Sequence, residues 1–568
     1  MPPELDRIVM KALHKDRGKR YQTARELLRD LQTLRQQIEF EDKLTAIGNP
    51  DSRLTGPVGQ QQTALMSFPP RTTTSVLKLW QSPAGKTISV VALLIIGGAA
   101  LIFGMAKAGV LGERPIDSVV VLPFVNASGD PNSEYLSDGI SESITDSLSQ
   151  LPDLQVVARS TAFRYKGQHP DPLDVGRDLR VRGVVTGQLM QRGNTLIIRA
   201  SLTDVKRGTQ IWGEQYNRNL SDVLAVQQEM AQEISNKLRM KLSGEEKRLL
   251  ARRKADSSEA FELYLKGRYY RNKYNEEAIR KAIGYFNQAI GIDPTYALAY
   301  AGLADAYYGL SNLYMAPRDA MPRAREAARR ALALDDSLAQ AHTDLALVLV
   351  WYDWNFPEGE REFRRAIELN PNDADPHRLY ADFLTAAGRF EPALAEKKKA
   401  EQLDPLSVPA SYEVARTLFF AGRLEDAEQQ AKRALELDDR FGQALALRAW
   451  IAVQRGQAAD ALAIAEQSLN VTRSPQTLAL CGYIDGRLGK NAEAQQVIEE
   501  LKRRPTYTMP LFLARVNAGL GNKDEALRWL EKAYAERSES ILWLRVDPTF
   551  ASLRDEPRFR DLVKKVGL

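Results

Sequence analysis

ADPHRLYADFLTAAGRFEPALAEKKKAEQLDP (residues 374–405) and VPASYEVARTLFFAGRLEDAEQQAKRALELDD (residues 408–439) are one pattern written twice. The pair Gly-x-x-x-x-Ala recurs at Gly388/Ala393, Gly422/Ala427, Gly456/Ala461, Gly489/Ala494 and Gly521/Ala526, with glycine-to-glycine steps of 34, 34, 33 and 32 residues. Twelve positions before each alanine stands a small residue: Ala381, Ala415, Ala449, Gly482 and Ala514. Two antiparallel helices about 8–10 Å apart need small side chains where they touch. The units end at Asp293-Pro294, Asp335-Asp336, Asn370-Pro371, Asp404-Pro405 and Asp438-Asp439. Proline disfavours helical geometry in the residue before it, so such pairs act as stops. The pattern predicts a stack of helix–turn–helix units.

A unit of 34 residues with this punctuation resembles the tetratricopeptide repeat. Eight repeats are expected across 256–540: 258–294, 296–336, 337–371, 372–405, 406–439, 440–473, 474–505 and 506–540, the second stretched by an insertion at 317–323. Residues 541–568 leave the pattern and are expected to form terminal capping helices with a charged outer face. The resemblance implies a concave surface, lined by the first helix of each pair, that binds a protein or peptide. Groove-facing positions are expected at Arg378, Asp382, Tyr412, Arg416, Phe419, Trp450, Tyr483 and Arg515. Arginine, tyrosine and tryptophan are enriched at binding hot spots. Trp450 and Phe419 also suit packing between helices.

Upstream, residues 116–250 change period. SVVVLPF (118–124) is a buried strand closed by turn residues, and Ile140, Ile144, Leu148 and Leu151 mark one helix face. A second strand is expected at 154–158 and a short helix at 172–179. Strand-like runs at 181–190, 195–203 and 210–216 follow, separated by the turns Arg192-Gly193-Asn194 and Lys206-Arg207-Gly208. Val226, Met230, Ile234 and Leu238 then mark a last helix. The order β-α-β-α-β-β-β-α implies a mixed sheet carrying helices. The pieces VVVLPFVNASGD (119–130), EYLSDGI (134–140), FRYKG (163–167), GRDLRVRGVVTG (176–187) and QIWGEQYNR (210–218) resemble the TolB amino-terminal-like domain of bacterial transmembrane signalling proteins. That family often follows a kinase, cyclase or DNA-binding domain and brings no catalytic set. Asp130, Asp138 and Glu214 are expected on the solvated surface.

Residues 87–106, TISVVALLIIGGAALIFGMA, hold twenty residues without a charge between Lys86 and Lys107. At 1.5 Å per residue they cross a bilayer core of about 30 Å. The preceding flank carries Arg71, Lys78 and Lys86 without an acid, whereas Lys107 and Arg114 follow among Glu113 and Asp117. The basic flank favours the cytoplasm. The expectation is a single span in the inner membrane, N-terminus inside and C-terminal domains periplasmic. Ala100, Gly104 and Ala108 form a small-residue stripe that can support a homodimer. The fold class is thus multidomain: a mostly α tetratricopeptide superhelix, a small α/β domain and one transmembrane helix.

Residues 1–40 form two amphipathic helices around Lys15 to Tyr21, and 41–86 is a polar linker expected to be disordered. Residues 2–35 resemble the last two helices of the C-lobe of a bacterial serine/threonine kinase, Arg20 standing where that family keeps a structural arginine. The chain contains no G-x-G-x-x-G loop, V-A-I-K lysine, H-R-D loop or D-F-G, so no kinase catalysis is expected from it. Either the kinase has been lost or it lies upstream of Met1.

The 78 basic and 73 acidic side chains leave a net charge of +5, with no basic stripe suited to nucleic acid. Cys481 is alone, and the histidines (His14, His169, His342, His377) lack metal-ligand spacing. No cofactor, metal or catalytic residue is expected. The chain reads as a membrane-anchored, non-catalytic interaction protein, the alternative being the sensor half of a transmembrane kinase.

Overall fold

The computed structural model describes residues 116–238, 244, 257–311, 314–504 and 507–567. The kinase-like residues 2–35, the linker 41–86 and the apolar stretch 87–106, with Ala100, Gly104 and Ala108, lie outside them. Among the described residues no helix is long and apolar enough to cross a membrane.

The first described region is a mixed sheet of β1 (Ser118–Val121), β2 (Val125–Asn126), β3 (Gln155–Val156), β4 (Gly183–Arg192), β5 (Thr195–Asp204) and β6 (Thr209–Asn219). The order is β3-β1-β4-β5-β6, with β2 also on β4. β1 runs parallel to β3 and β4, and β4, β5 and β6 form an antiparallel meander. β1 is buried along its whole length and carries three successive valines because both its faces are covered. Val119 and Val121 face a core with Ile140, Ile144 and Leu148 of α1 (Glu134–Ser149) and Met230 and Ile234 of α4 (Val223–Lys237). Val120 faces Ala162 of α2 (Arg159–Ala162) and Val175 of α3 (Pro172–Asp178). The strand expected at 154–158 pairs only over Gln155–Val156. It leaves the sheet because the Ala158 N–H donates instead to the Leu403 carbonyl, at 3.1 Å, far along the chain.

Eight antiparallel helix pairs follow: α5 (Ser258–Arg271) and α6 (Glu276–Ile292), α7 (Ala297–Leu310) and α8 (Pro317–Leu334), α9 (Ala339–Val348) and α10 (Phe356–Leu369), α11 (Ala374–Ala386) and α12 (Phe390–Leu403), α13 (Val408–Phe420) and α14 (Leu424–Leu437), α15 (Gly442–Gln454) and α16 (Ala458–Val471), α17 (Pro475–Arg487) and α18 (Asn491–Arg503), α19 (Pro510–Gly519) and α20 (Lys523–Ala535). In the last five pairs the turn glycines Gly388, Gly422, Gly456, Gly489 and Gly521 have φ between +73° and +77°. That left-handed geometry favours glycine. Small residues also permit close approach, since a Cβ on Gly519 would lie 2.4 Å from the Tyr483 carbonyl oxygen.

The same turn in the first and third pairs is filled by Tyr274 (φ +52°) and Trp354 (φ +58°). In the third pair α9 runs into a π-turn, Leu349–Asp353, which carries one extra residue into the bend. Trp354 then packs at a tilt against Tyr534 of the last repeat, ring centroids 5.1 Å apart, and beneath the Arg537 guanidinium at 4.0 Å. Arg537, itself at φ +53°, donates to the Tyr352 carbonyl at 2.9 Å. The eighth repeat therefore returns to the third.

Residues 541–568 were expected as capping helices. Two 3₁₀ turns, Glu539–Arg545 and Pro548–Leu553, precede α21 (Pro557–Val566). Ile541, Leu542, Leu544 and Phe550 of the turns are at most 2 % exposed. This apolar load turns the segment inward, so only α21 resembles an outer cap.

The sheet module is docked on the array. A Cβ at Gly139 would lie 2.8 Å from the Leu265 side chain, so α1 and α5 meet at glycine. Asn370 donates to Ser149 Oγ at 3.0 Å and Asn372 to the Leu151 carbonyl at 3.1 Å. Thr161 donates to Asp404 at 2.6 Å and accepts from the Leu406 N–H at 3.1 Å.

The two unusual turn residues make opposite predictions. Tyr274 is 69 % exposed, so Tyr274→Gly should raise stability by up to about 1 kcal/mol through relief of left-handed strain. Trp354→Gly should lower it by about 2 kcal/mol, because the lost ring and guanidinium contacts outweigh that relief. Urea unfolding of the two variants measures both signs.

Candidate functional site

Repeat spacing places one residue of each first helix in register. Asp382, Arg416, Trp450, Tyr483 and Arg515 each follow the small residue that lets helices meet, at steps of 34, 34, 33 and 32. They form a ladder across α11, α13, α15, α17 and α19. Arg416 donates to Asp382 Oδ1 at 2.6 Å. Trp450 packs against Tyr483 with centroids 5.1 Å apart, and the Arg515 guanidinium lies 5.8 Å from the Trp450 ring.

Behind the ladder lies a buried ion cluster. The Lys397 ammonium, its side chain 1 % exposed, donates to Asp382 Oδ1 at 2.6 Å, Glu413 Oε2 at 2.8 Å and the Arg378 carbonyl at 2.8 Å. Lys397 belongs to the run Lys397-Lys398-Lys399, which suggests a solvated face. Its spacing from Ala393 and Ala400 puts it on the inner stripe of α12. Burial alone would raise the Asp382 carboxyl, but Arg416 and Lys397 outweigh it and hold the group well below the ordinary range.

The C-terminal segment supplies the remaining wall. Trp543 stacks on Phe420 at 5.2 Å and on Trp351 at 5.8 Å, with Arg416 at 5.1 Å from its ring. Asp547, buried, accepts from Arg515 at 2.8 Å and caps its own turn through the Thr549 N–H at 2.9 Å. Between ladder and segment is a cavity of about 440 Å³.

Of the eight positions expected in the groove, Asp382, Tyr412, Arg416, Phe419, Trp450 and Arg515 line this cavity. Phe419 does so from the edge of the core, where it is 6 % exposed. Arg378 is drawn aside by Glu413 (3.0 Å) and Asp375 (3.2 Å), and Tyr483 is buried behind Trp450. Sequence reasoning missed Lys397, Phe420, Phe441, Trp543 and Asp547. The apolar run ILWL before Asp547 was the available signal for the returning segment.

A second cluster corrects an expectation in the sheet module. Asp138 is not solvated: it is 4 % exposed, accepts from Lys166 at 2.5 Å, and its Oδ1 is buried without a hydrogen-bond partner. Lys166 also pairs with Glu134 at 2.8 Å. EYLSDGI and FRYKG thus meet in space. Burial raises the Asp138 carboxyl from 3.8 to about 6 against the pull of Lys166, with Glu142 and Glu134 adding to the rise. His342 and His377 are buried and bonded to Glu362 and Glu396, which makes them packing residues.

Residues 412–476 match the tetratricopeptide repeat family. The chain is 39 % identical over 237 residues to "Putative adenylate cyclase 3" of Rhizobium meliloti (strain 1021), covering 41 % of this chain and 40 % of that protein. It thus spans about two fifths of the length of the curated relative it matches. Solved structures similar to it include YrrB, a tetratricopeptide protein with an unusual peptide-binding site (20 % identity, 34 % of this chain, 95 % of that one, TM-score 0.26). PilF of Pseudomonas aeruginosa (21 %, 38 % and 93 %, TM-score 0.30) and the type IV pilus biogenesis factor PilW (22 %, 42 % and 98 %, TM-score 0.32) are also similar. The array is a tetratricopeptide array.

Lys397→Met should cost about 3 kcal/mol in chemical unfolding, because Asp382 and Glu413 are left buried with one cation fewer. Asp138 yields a pH test. Its folded-state group sits above the unfolded value, so its stabilising contribution is full below 3.8 and is lost as pH rises through about 6. Asp138→Asn should flatten the slope of unfolding free energy across that window.

Proposed function

We propose that this chain is a membrane-anchored, non-catalytic scaffold in signal transduction, whose repeat array binds a protein or peptide partner. The observation that carries it is the aligned ladder Asp382–Arg416–Trp450–Tyr483–Arg515, with Tyr412, Phe419 and Arg378 beside it. Arginine and aromatic side chains held rigidly on first helices suit a docked segment at low ordering cost. The apolar stretch 87–106 supplies the anchor, with the N-terminus cytoplasmic, the array periplasmic and the Ala100–Gly104–Ala108 stripe pairing two copies. The sheet module, with its TolB-like motifs, is a rigid adaptor docked along the first five repeats rather than an independent receptor.

A second reading is favoured by the kinase-like residues 2–35 and by the relative named a putative adenylate cyclase. The module and array then serve as the sensor half of a signalling enzyme whose catalytic domain lies upstream.

Photo-crosslinking from the Trp450 position in intact cells tests the first reading. A discrete adduct lost in Arg515→Glu supports docking, and an adduct pattern unchanged by that substitution refutes it. An alkaline phosphatase fusion at the C-terminus should be active if the array is periplasmic. An open reading frame upstream carrying intact kinase loops, with autophosphorylation of its product, would move the assignment to the second reading.

A further inference from the structure

The concave face is not an open groove at its centre. Ile541, Leu542, Leu544 and Phe550 are at most 2 % exposed, so the segment carrying Trp543 is part of the core. Displacing it would expose four large apolar side chains to water, which opposes its release. Whatever enters the centre, a side chain of the docked partner or a small molecule, must therefore fit the space the segment leaves.

That space, about 440 Å³, lies within the size range of small-molecule sites. Aromatic rings of Tyr412, Phe419, Phe441, Trp450, Phe512 and Trp543 line it. The charged lining balances: Arg416, Arg440 and Arg515 stand against Asp382, Glu539 and Asp547. Arg416 is already bonded to Asp382 and Arg515 to Asp547, so neither guanidinium is a free anion receptor. A polyanion entering here would meet carboxylates as often as cations. A flat ring with neutral or zwitterionic polar substituents meets aromatic faces for stacking and ion pairs that offer both donors and acceptors. The polar groups are also held in place from behind, Asp382 by buried Lys397 and Asp547 by its own turn. Such preorganisation suits a binding site.

We propose that the cavity between the ladder and the C-terminal segment binds a small planar aromatic molecule, neutral or zwitterionic, making the array ligand-responsive. The site shares Trp450 and Arg515 with the partner surface, so occupancy of one changes the affinity of the other. The proposal does not depend on partner docking, because ligand binding is measured with no partner present.

The test titrates the full chain in detergent with phenylnaphthylamine, a neutral aromatic dye that fluoresces in apolar sites, with the signal of protein-free detergent micelles subtracted at every dye concentration. Saturable binding at one site is expected, displaced by adenosine and not by ATP at equal concentration. Trp450→Ala should weaken the dye about tenfold, and Ala446→Trp, which fills the cavity from its wall, should abolish binding. Circular dichroism confirms that each variant folds, and Gln443→Trp at the exposed rim replaces any that does not. Equal dye affinity in the wild type and a folded filling variant overturns the proposal, as does the absence of saturable binding. Stronger displacement by ATP than by adenosine overturns the ligand class. Loss of the crosslinked partner with dye binding intact refutes only the scaffold reading.

Discussion

The structure depends on a backbone constraint: within each of the last five pairs the chain reverses between two helices over three residues, and the middle one has positive φ. Where that residue is glycine, as at Gly388 through Gly521, the turn carries no side-chain strain and the helices settle into a uniform pitch. The uniform pitch brings Asp382, Arg416, Trp450, Tyr483 and Arg515 into line. A ladder of side chains on separate helices is possible only because each turn delivers the next helix at the same height.

Where the turn residue is not glycine, the array does something else. Trp354 accepts left-handed geometry and gains a tilted ring contact with Tyr534 and a cation–π contact with Arg537. The contact links the third repeat to the eighth, and Trp543 adds a second link through Trp351 and Phe420. A solenoid whose repeats touch only their neighbours is open by construction. These long-range contacts close part of it and turn a groove into a cavity. The sheet module makes a further long-range link. The Ala158 N–H reaches Leu403, and Thr161 reaches Asp404 and Leu406, which braces the fourth and fifth repeats from outside.

Charge burial follows the same division. Lys397 would be an ordinary surface lysine on an isolated amphipathic helix. Between α11 and α13 it becomes the shared cation of Asp382 and Glu413, and removing it would leave two carboxylates short of a partner. Asp138 and Lys166 repeat the theme in the sheet module, twenty-eight residues apart in the chain and 2.5 Å apart in space.

The local features are legible in the amino-acid order alone: the period of the repeats, the stops, the glycine turns, the meander and the register of the ladder. Each depends on neighbours within one or two units, and periodicity reports such contacts directly. It could also state which residue types face the concave side, since that depends only on helix geometry. The early end of β3, the burial of Lys397 and Asp138, and the closing of the centre of the concave face by Trp543 and Asp547 emerge only in the folded chain. Those outcomes rest on contacts between residues far apart in the chain, and a repeat that encodes its neighbour carries no information about a partner five repeats away.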